Sequence, residues 1–220
     1  KNFLDAFFNF IQQDKIKIRI MFTQRRYISV GLSKTQLENA YYLLYYQFCL
    51  HAFGFQYSPV VDHPSKLLLF FDELPDKSQK RDDFKKCILL IPRQPIYTEN
   101  YGFTTLQNEK ITLSKENIVE VNSKNHVILQ GMDIVLGAMA FKLNNKHKDR
   151  QKDGKIGKRT KAKHEIYKHI YGHIQKIYPG FNIGITTGHR NLKANRWRDP
   201  YRHWRFIPKQ FEILDESQNE

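Results

Sequence analysis

The chain contains an almost continuously apolar run that ends in two acids, Lys66-Leu67-Leu68-Leu69-Phe70-Phe71-Asp72-Glu73. A short run of this kind is typical of a strand that is covered on both faces, as in a sheet flanked by helices. Pro75 stops the strand, and residues 77–90 have the pattern of a helix. The run therefore predicts an α/β fold in which a buried strand ends in carboxylates.

The residues on the N-terminal side of this run also alternate between helix and strand patterns. Residues 3–11 carry apolar side chains at helical spacing, and residues 16–20 alternate with the period of a strand. Ser33 is a suitable N-cap for a long helix over residues 34–53. We expect that helix to be central to the domain.

On the C-terminal side, residues 118–121 are the best strand candidate, and Val127–Leu143 predicts an apolar helix. Asp133 lies in the middle of this helix and shares one face with Gln130, while Gly137 would allow another element to approach closely. An unpaired buried carboxylate is unfavourable by several kcal/mol. We therefore expect Asp133 either to form an ion pair or to bind a hard cation such as Mg²⁺, which prefers oxygen ligands.

Cations dominate residues 144–163, which we name the basic segment. Only Asp149 and Asp153 oppose them, and the pattern predicts a mobile loop before a helix over residues 164–178. We expect Lys155, Lys158, Arg159 and Lys161 to contact nucleic-acid phosphates. The nine cations of the segment are Lys146, Lys148, Arg150, Lys152, Lys155, Lys158, Arg159, Lys161 and Lys163.

A second stretch, residues 196–205, interleaves cations with aromatic rings. Such a composition suits base stacking and phosphate neutralisation, and it equally suits a C-terminal arm whose rings anchor it to the core. Both interpretations remain open for four residues: Arg196, Trp197, Arg202 and Trp204.

Composition restricts the class of protein. The 220 residues are 40% hydrophobic and 14% aromatic, which excludes a disordered chain, and the formal charge of +14 favours a polyanionic partner. No apolar run is long enough to cross a bilayer, and two cysteines, Cys49 and Cys87, indicate buried free thiols. We expect a soluble, cytoplasmic protein.

Three stretches together resemble a known family. They are the strand 67–73, the segment Val121-Asn122-Ser123-Lys124-Asn125-His126-Val127-Ile128-Leu129-Gln130-Gly131-Met132-Asp133-Ile134-Val135-Leu136-Gly137-Ala138, and Gly184-Ile185-Thr186-Thr187-Gly188. They are similar to the middle and end of the domain-of-unknown-function 3800 family. The resemblance implies a ribonuclease H-like mixed sheet flanked by helices, with Asp72 and Asp133 as catalytic ligands of Mg²⁺ or Mn²⁺.

The resemblance also implies an N-terminally incomplete fold, because family members begin with a strand ending in Asp-Glu-Ser that these residues do not include. We expect residues 1–188, with the basic segment, to form the ribonuclease H-like domain and residues 189–220 to form an irregular C-terminal arm. The implied function is metal-dependent cleavage of nucleic-acid phosphodiesters by a nuclease-like hydrolase. The alternatives are a non-catalytic nucleic-acid-binding module or a component of a larger assembly.

Other candidates carry weaker signals. His126 could approach a phosphate but is more often structural, and Glu73 should point away from Asp72. Glu165, His169 and His173 lie four apart on one helix face and could hold zinc, although solvated side chains are the more common outcome. We expect Asp5, on the first helix, to be solvated.

Overall fold

The computed structural model describes residues 1–59, 62–72, 79–98, 102–107, 110–187 and 193–214. The chain divides into two compact units, each assembled from separate stretches. Unit 1 comprises Lys1–Phe22, Ser123–Arg190 and Asp199–Phe206; unit 2 comprises Thr23–Asn122, Asn191–Arg198 and Ile207–Glu220. The predicted mixed α/β fold is confirmed.

The helices and strands are numbered in chain order. The helices are α1 (Asn2–Gln12), α2 (Lys34–Glu38), α3 (Ala40–His51), α4 (Gln79–Ile88), α5 (Val127–Leu143), α6 (Lys158–Ile177) and α7 (Asn195–Arg198). The strands are β1 (Ile18–Thr23), β2 (Tyr27–Ser29), β3 (Ser65–Lys66), β4 (Leu69–Phe71), β5 (Arg93–Thr98), β6 (Gly102–Gln107), β7 (Ile111–Thr112), β8 (Ile118–Glu120), β9 (Tyr201–Phe206) and β10 (Phe211–Ile213).

Among the described residues, the strands form five two-stranded sheets. The pairs β3–β7 and β4–β8 are parallel, whereas β2–β10 and β5–β6 are antiparallel, and β1 pairs with β9. The ribonuclease H-like arrangement of one larger mixed sheet therefore stays a prediction, as does the boundary between residues 1–188 and the C-terminal arm.

Unit 1 is built around helices α1, α5 and α6 and the strand pair β1–β9. The helix predicted over residues 3–11 is confirmed, and its apolar face is buried apart from Phe3. The core of unit 1 consists of Leu4, Phe7, Phe8, Ile11, Ile18, Ile20, Val135, Ala138, Met139, Tyr167, Ile170, Ile174, Phe181 and Tyr201.

The close approach of another element to α5 occurs at Gly131 and not at the predicted Gly137. A Cβ at Gly131 would lie 2.8–3.0 Å from three ring atoms of Phe7 on α1, whereas a Cβ at Gly137 would meet no described atom within 4 Å. The prediction for Gly137 was wrong because the apolar residues on α5 surround the helix, so the sequence does not reveal which side faces the core.

Unit 2 contains the remaining elements and a second core. Ser33 caps α2 in a capping box with Gln36, as its residue type predicts. The long helix predicted over residues 34–53 is divided, because α2 ends at Glu38 and α3 begins at Ala40. The buried core members are Tyr42, Cys49, Phe55, Phe84, Ile88, Ile91, Ile111 and Ile118.

The apolar run over residues 66–71 is also divided, into β3 and β4. Both pair with parallel partners, but Leu68 and Phe70 are about half exposed (52% and 51%). The expectation of a strand covered on both faces was therefore wrong, since one face of β4 is open to solvent.

Two expectations drawn from composition can be compared with the structure. Cys49 is buried, whereas Cys87 on α4 is exposed, which corrects the expectation of two buried thiols. Within the described part of the chain, no helix has the combination of length and apolarity that a membrane span requires.

Candidate functional site

Asp72 is positioned by the parallel pair β4–β8. It directly follows Phe71, whose partner in the register is Glu120 at the end of β8, and its side chain is exposed. Two cations already engage Glu120: Arg81 lies 3.2 Å and Lys85 3.4 Å from its carboxylate oxygens. The pair β4–β8 therefore places two carboxylates, Asp72 and Glu120, at neighbouring strand ends. Glu73 lies outside the described residues.

Asp133 lies on α5, in the other unit. Its side chain is exposed. The expectation that this carboxylate is buried was therefore wrong: the apolar residues next to it in sequence, Met132 and Ile134, are exposed as well. Its binding of a hard cation stays a prediction. Gln130 donates to the carbonyl oxygen of Lys124 at 2.5 Å. Because Asp72 and Asp133 belong to different units, their convergence on one Mg²⁺ or Mn²⁺ site stays a prediction.

The basic segment is more regular than predicted. Its C-terminal part is helical, because α6 begins at Lys158, six residues before the predicted start. Lys, Arg and Ala favour helix formation, which explains the earlier start. The remaining residues form hydrogen-bonded turns: Gln151 donates its amide to Lys155, and Arg150 donates to the carbonyl oxygen of Gly154 at 2.9 Å. All nine cations of the segment are exposed.

The two acids of the basic segment are engaged by neighbours within it. Asp149 lies 3.7 Å from the Lys146 ammonium, and Asp153 accepts a hydrogen bond from the Lys155 amide at 3.0 Å. Among the described residues, neither carboxylate forms an ion pair with Lys158, Arg159 or Lys161. The segment therefore presents nine exposed cations on unit 1.

The aromatic and cationic stretch near residue 200 divides between the units. Trp197, on α7, packs against the core of unit 2. Arg202, on β9, is only 6% exposed and donates to the carbonyl oxygen of Thr187. The structure therefore favours the anchoring interpretation for these two residues, and the buried guanidinium of Arg202 does not face a surface on which phosphates could bind. Arg196 and Trp204 are half-buried.

A cluster that the sequence indicated only in part lies between α1 and α6. Asp5 Oδ1 is 2.7 Å from Nε2 of His169 and 2.7 Å from Nε2 of His173. The hydrogen bond from His173 holds the pKa of Asp5 below its usual range, and His169 acts in the same direction. Glu165, the third member of the zinc set considered from sequence, instead pairs with Lys168 at 2.9 Å.

Sequence reasoning missed Asp5 because its partners lie more than 160 positions away in the chain. The signal that could have found it is the combination of two histidines four residues apart on α6 with an acid within the amphipathic helix α1. The expectation that Asp5 is merely solvated was wrong, since its carboxylate contacts both imidazoles.

Two other candidates, His126 and Gly184, occupy local structural positions. His126 is the N-cap residue of α5 and makes no side-chain capping hydrogen bond. The Gly184 amide is occupied by the side-chain oxygen of Asn182, and Gly188 lies outside the described residues.

Comparisons of the chain with protein-family models, with curated proteins and with solved structures found no match.

Proposed function

We propose that this chain binds nucleic acid and contacts its phosphate backbone through the basic segment. The observation that carries the proposal is the exposure of nine cations in one segment whose two acids are engaged locally. Cations that neutralise phosphates release condensed counterions, so such a surface provides affinity without sequence preference.

Residues 158–163 strengthen the proposal because they lie on a helix. Lys158, Arg159 and Lys161 are exposed on the first turn of α6, which is anchored by the buried residues Ile170 and Ile174 further along the same helix. A fixed helix loses less conformational entropy on binding than a disordered tail does. The surface is therefore suited to hold several phosphates at once.

The test is the salt dependence of binding. In one variant, Lys155, Lys158, Arg159 and Lys161 are replaced by Ala; in a matched control, four exposed cations of unit 2 are replaced: Arg25, Lys34, Lys115 and Lys209. Both variants lose four positive charges. Fluorescence anisotropy with labelled duplex DNA, single-stranded DNA and RNA gives the slope of log affinity against log salt for each.

Each lost phosphate contact lowers the magnitude of the duplex slope by about 0.9. We therefore expect a decrease of up to about 3.6 in the basic-segment variant and a much smaller change in the control. Equal slopes in the two variants would show that net charge matters and that the basic segment is not the contact surface.

A second candidate function is metal-dependent cleavage of the bound phosphodiester, with Asp72 and Asp133 as carboxylate ligands. The observation that favours it is the exposed carboxylate of Asp72 at the C-terminal end of a parallel strand pair, where α/β proteins commonly bind ligands. An exposed carboxylate fits Mg²⁺ or Mn²⁺, which would stabilise the charge that develops on phosphate oxygens.

The same binding reactions, supplemented with MgCl₂ or MnCl₂ and examined for cleavage products, test this candidate. They use a version of the protein that is extended by the Asp-Glu-Ser strand that the resemblance implies. Asp72→Asn and Asp133→Asn should each abolish cleavage and leave binding affinity unchanged, whereas the control Asp82→Asn should cleave normally. If the extended protein binds without cleaving, or if both Asn variants cleave, only the binding function stands.

A further inference from the structure

The cluster of Asp5, His169 and His173 in unit 1 has the donor set and the geometry of a transition-metal site. The three ligand atoms, one carboxylate oxygen and two imidazole nitrogens, all lie within 4.8 Å of one another. We propose that this cluster binds one zinc ion. The proposal is independent of nucleic-acid binding and of the carboxylate site at Asp72 and Asp133.

The ligands are held by packed helices. His169 and His173 are one turn apart on α6, so their rings project from the same face of the helix. Ile170 and Ile174, both fully buried, fix the rotation of α6 about its axis. The His173 ring stacks on Phe8 of α1, with a centroid distance of 5.0 Å and an interplanar angle of 12°. Two of the three ligands are thus oriented before any ion arrives.

The two oxygen–nitrogen distances allow an ion to enter with small movements of Asp5. Tetrahedral zinc has bonds of roughly 2.0–2.1 Å to nitrogen and oxygen, which places neighbouring ligand atoms about 3.3 Å apart. The carboxylate oxygen is 2.7 Å from each Nε2 atom. Asp5 therefore has to retreat by about 0.6 Å, which corresponds to a small rotation of a side chain that is 47% exposed.

The polar contacts within the cluster are incomplete without an ion. His173 makes a hydrogen bond to Asp5, but Nε2 of His169 is buried and, among the described residues, makes no hydrogen bond of acceptable geometry despite its short distance from the same oxygen. A buried nitrogen without a hydrogen bond is destabilising. Coordination to a metal ion would satisfy its lone pair.

The donor set selects the class of metal. Imidazole nitrogens suit zinc and other late first-row ions, whereas Mg²⁺ and Ca²⁺ prefer all-oxygen ligands. Three protein ligands leave one tetrahedral position for water or for an oxygen anion. The Asp5 side chain is 47% exposed, so a small ligand can reach the cluster from solvent.

The experiment uses the tag-free chain of 220 residues after removal of metal with EDTA, in the absence of nucleic acid. Zinc titration by calorimetry, metal content after gel filtration and the visible absorption of a Co²⁺-substituted sample measure stoichiometry and coordination. We expect one ion per chain and the intense visible bands of tetrahedral Co²⁺. Failure of the folded wild-type chain to bind either ion in stoichiometric amount overturns the proposal.

Variants locate the site. Asp5→Asn, His169→Gln and His173→Gln should each weaken zinc binding by at least about 100-fold, more than the loss of a residue that only orients a ligand. Glu165→Gln and His164→Gln lie on the same helix outside the cluster and should bind as the wild type does. Circular dichroism shows whether each variant is folded. Because His173 stacks on Phe8, His173→Gln could unfold the protein, and in that case Asp5→Asn and His169→Gln decide the outcome. Wild-type affinity in these two would overturn the assignment.

Discussion

The contact between α1 and α5 predicts that one substitution will have opposite effects at two glycines of the same helix. Gly131 and Gly137 both lie in the interior of α5. Alanine is favoured over glycine in a helix interior by about 0.8–1.0 kcal/mol. At Gly137 no described atom would lie within 4 Å of the new Cβ. We therefore expect Gly137→Ala to raise the free energy of unfolding by about 0.5–1 kcal/mol.

At Gly131 the same gain is opposed by a steric clash. The new Cβ would lie 2.8–3.0 Å from the Phe7 ring, closer than the 3.5–4.0 Å that is optimal between carbon atoms. Phe7 is only 4% exposed and contacts the rings of Phe3 and Phe8, so it cannot move without disturbing the core. Overpacking of this kind costs about 1–3 kcal/mol. We expect Gly131→Ala to lower the free energy of unfolding by up to about 2 kcal/mol.

Urea denaturation followed by circular dichroism measures both variants. The difference between them isolates the cost of the contact, and each kcal/mol should also appear as about 2–4 °C in Tm. The double variant Phe7→Leu with Gly131→Ala should show less cost for the alanine, because the smaller side chain makes room for it. If Gly131→Ala stabilises the protein as much as Gly137→Ala does, α1 does not pack on α5 at this point.

Two further predictions concern other parts of the chain. His203 is fully buried, and burial lowers its pKa from 6.5. At His203 the unfolded chain therefore binds a proton more tightly than the folded chain does. The free energy of unfolding should decrease as the pH falls below about 6.5. His203→Gln should reduce this pH dependence in urea denaturation between about pH 7.5 and 5, and an unchanged dependence would assign it to other groups. Ser33→Ala should lower the free energy of unfolding by about 1 kcal/mol because the capping box is lost, and Ser33→Asp should retain most of the stability. If the free energy of unfolding of Ser33→Ala equals that of the wild type within error, α2 does not contribute to stability.

The spacing of apolar residues and the N-cap residue Ser33 predicted several helices correctly. The bounds of α5 and the position of α1 follow from the period and length of their apolar residues, and Ser33 identified the start of α2. The same patterns did not predict burial. Five large apolar residues of α5 are exposed, and so is Asp133, because a helix that is apolar all round has no preferred face in the sequence.

The sequence pattern did not predict contacts between distant parts of the chain. Arg19 lies in a strand that alternates apolar and basic residues, a pattern that favours an exposed basic side chain, yet it is only 5% exposed. The charges of Asp199 and Arg202, far away in the chain, act on its guanidinium. Burial is the largest cause that lowers its pKa, to about 10. Asp5 presents the same difficulty, since its environment is set by α6 and not by its neighbours in α1.

Helix α6 carries residues of both the basic segment and the cluster of Asp5, His169 and His173. Nucleic-acid binding and zinc binding can nevertheless be measured separately. His169 lies eight residues after Lys161, which is about 12 Å along the helix axis. The Debye length at physiological ionic strength is about 8 Å, so most of the field of a bound zinc ion is screened before it reaches exposed cations at that distance. Zinc occupancy should therefore change the affinity for nucleic acid little at physiological salt, and removal of the four cations should leave zinc binding intact. A strong mutual dependence of the two would require a ligand that contacts both sites at once.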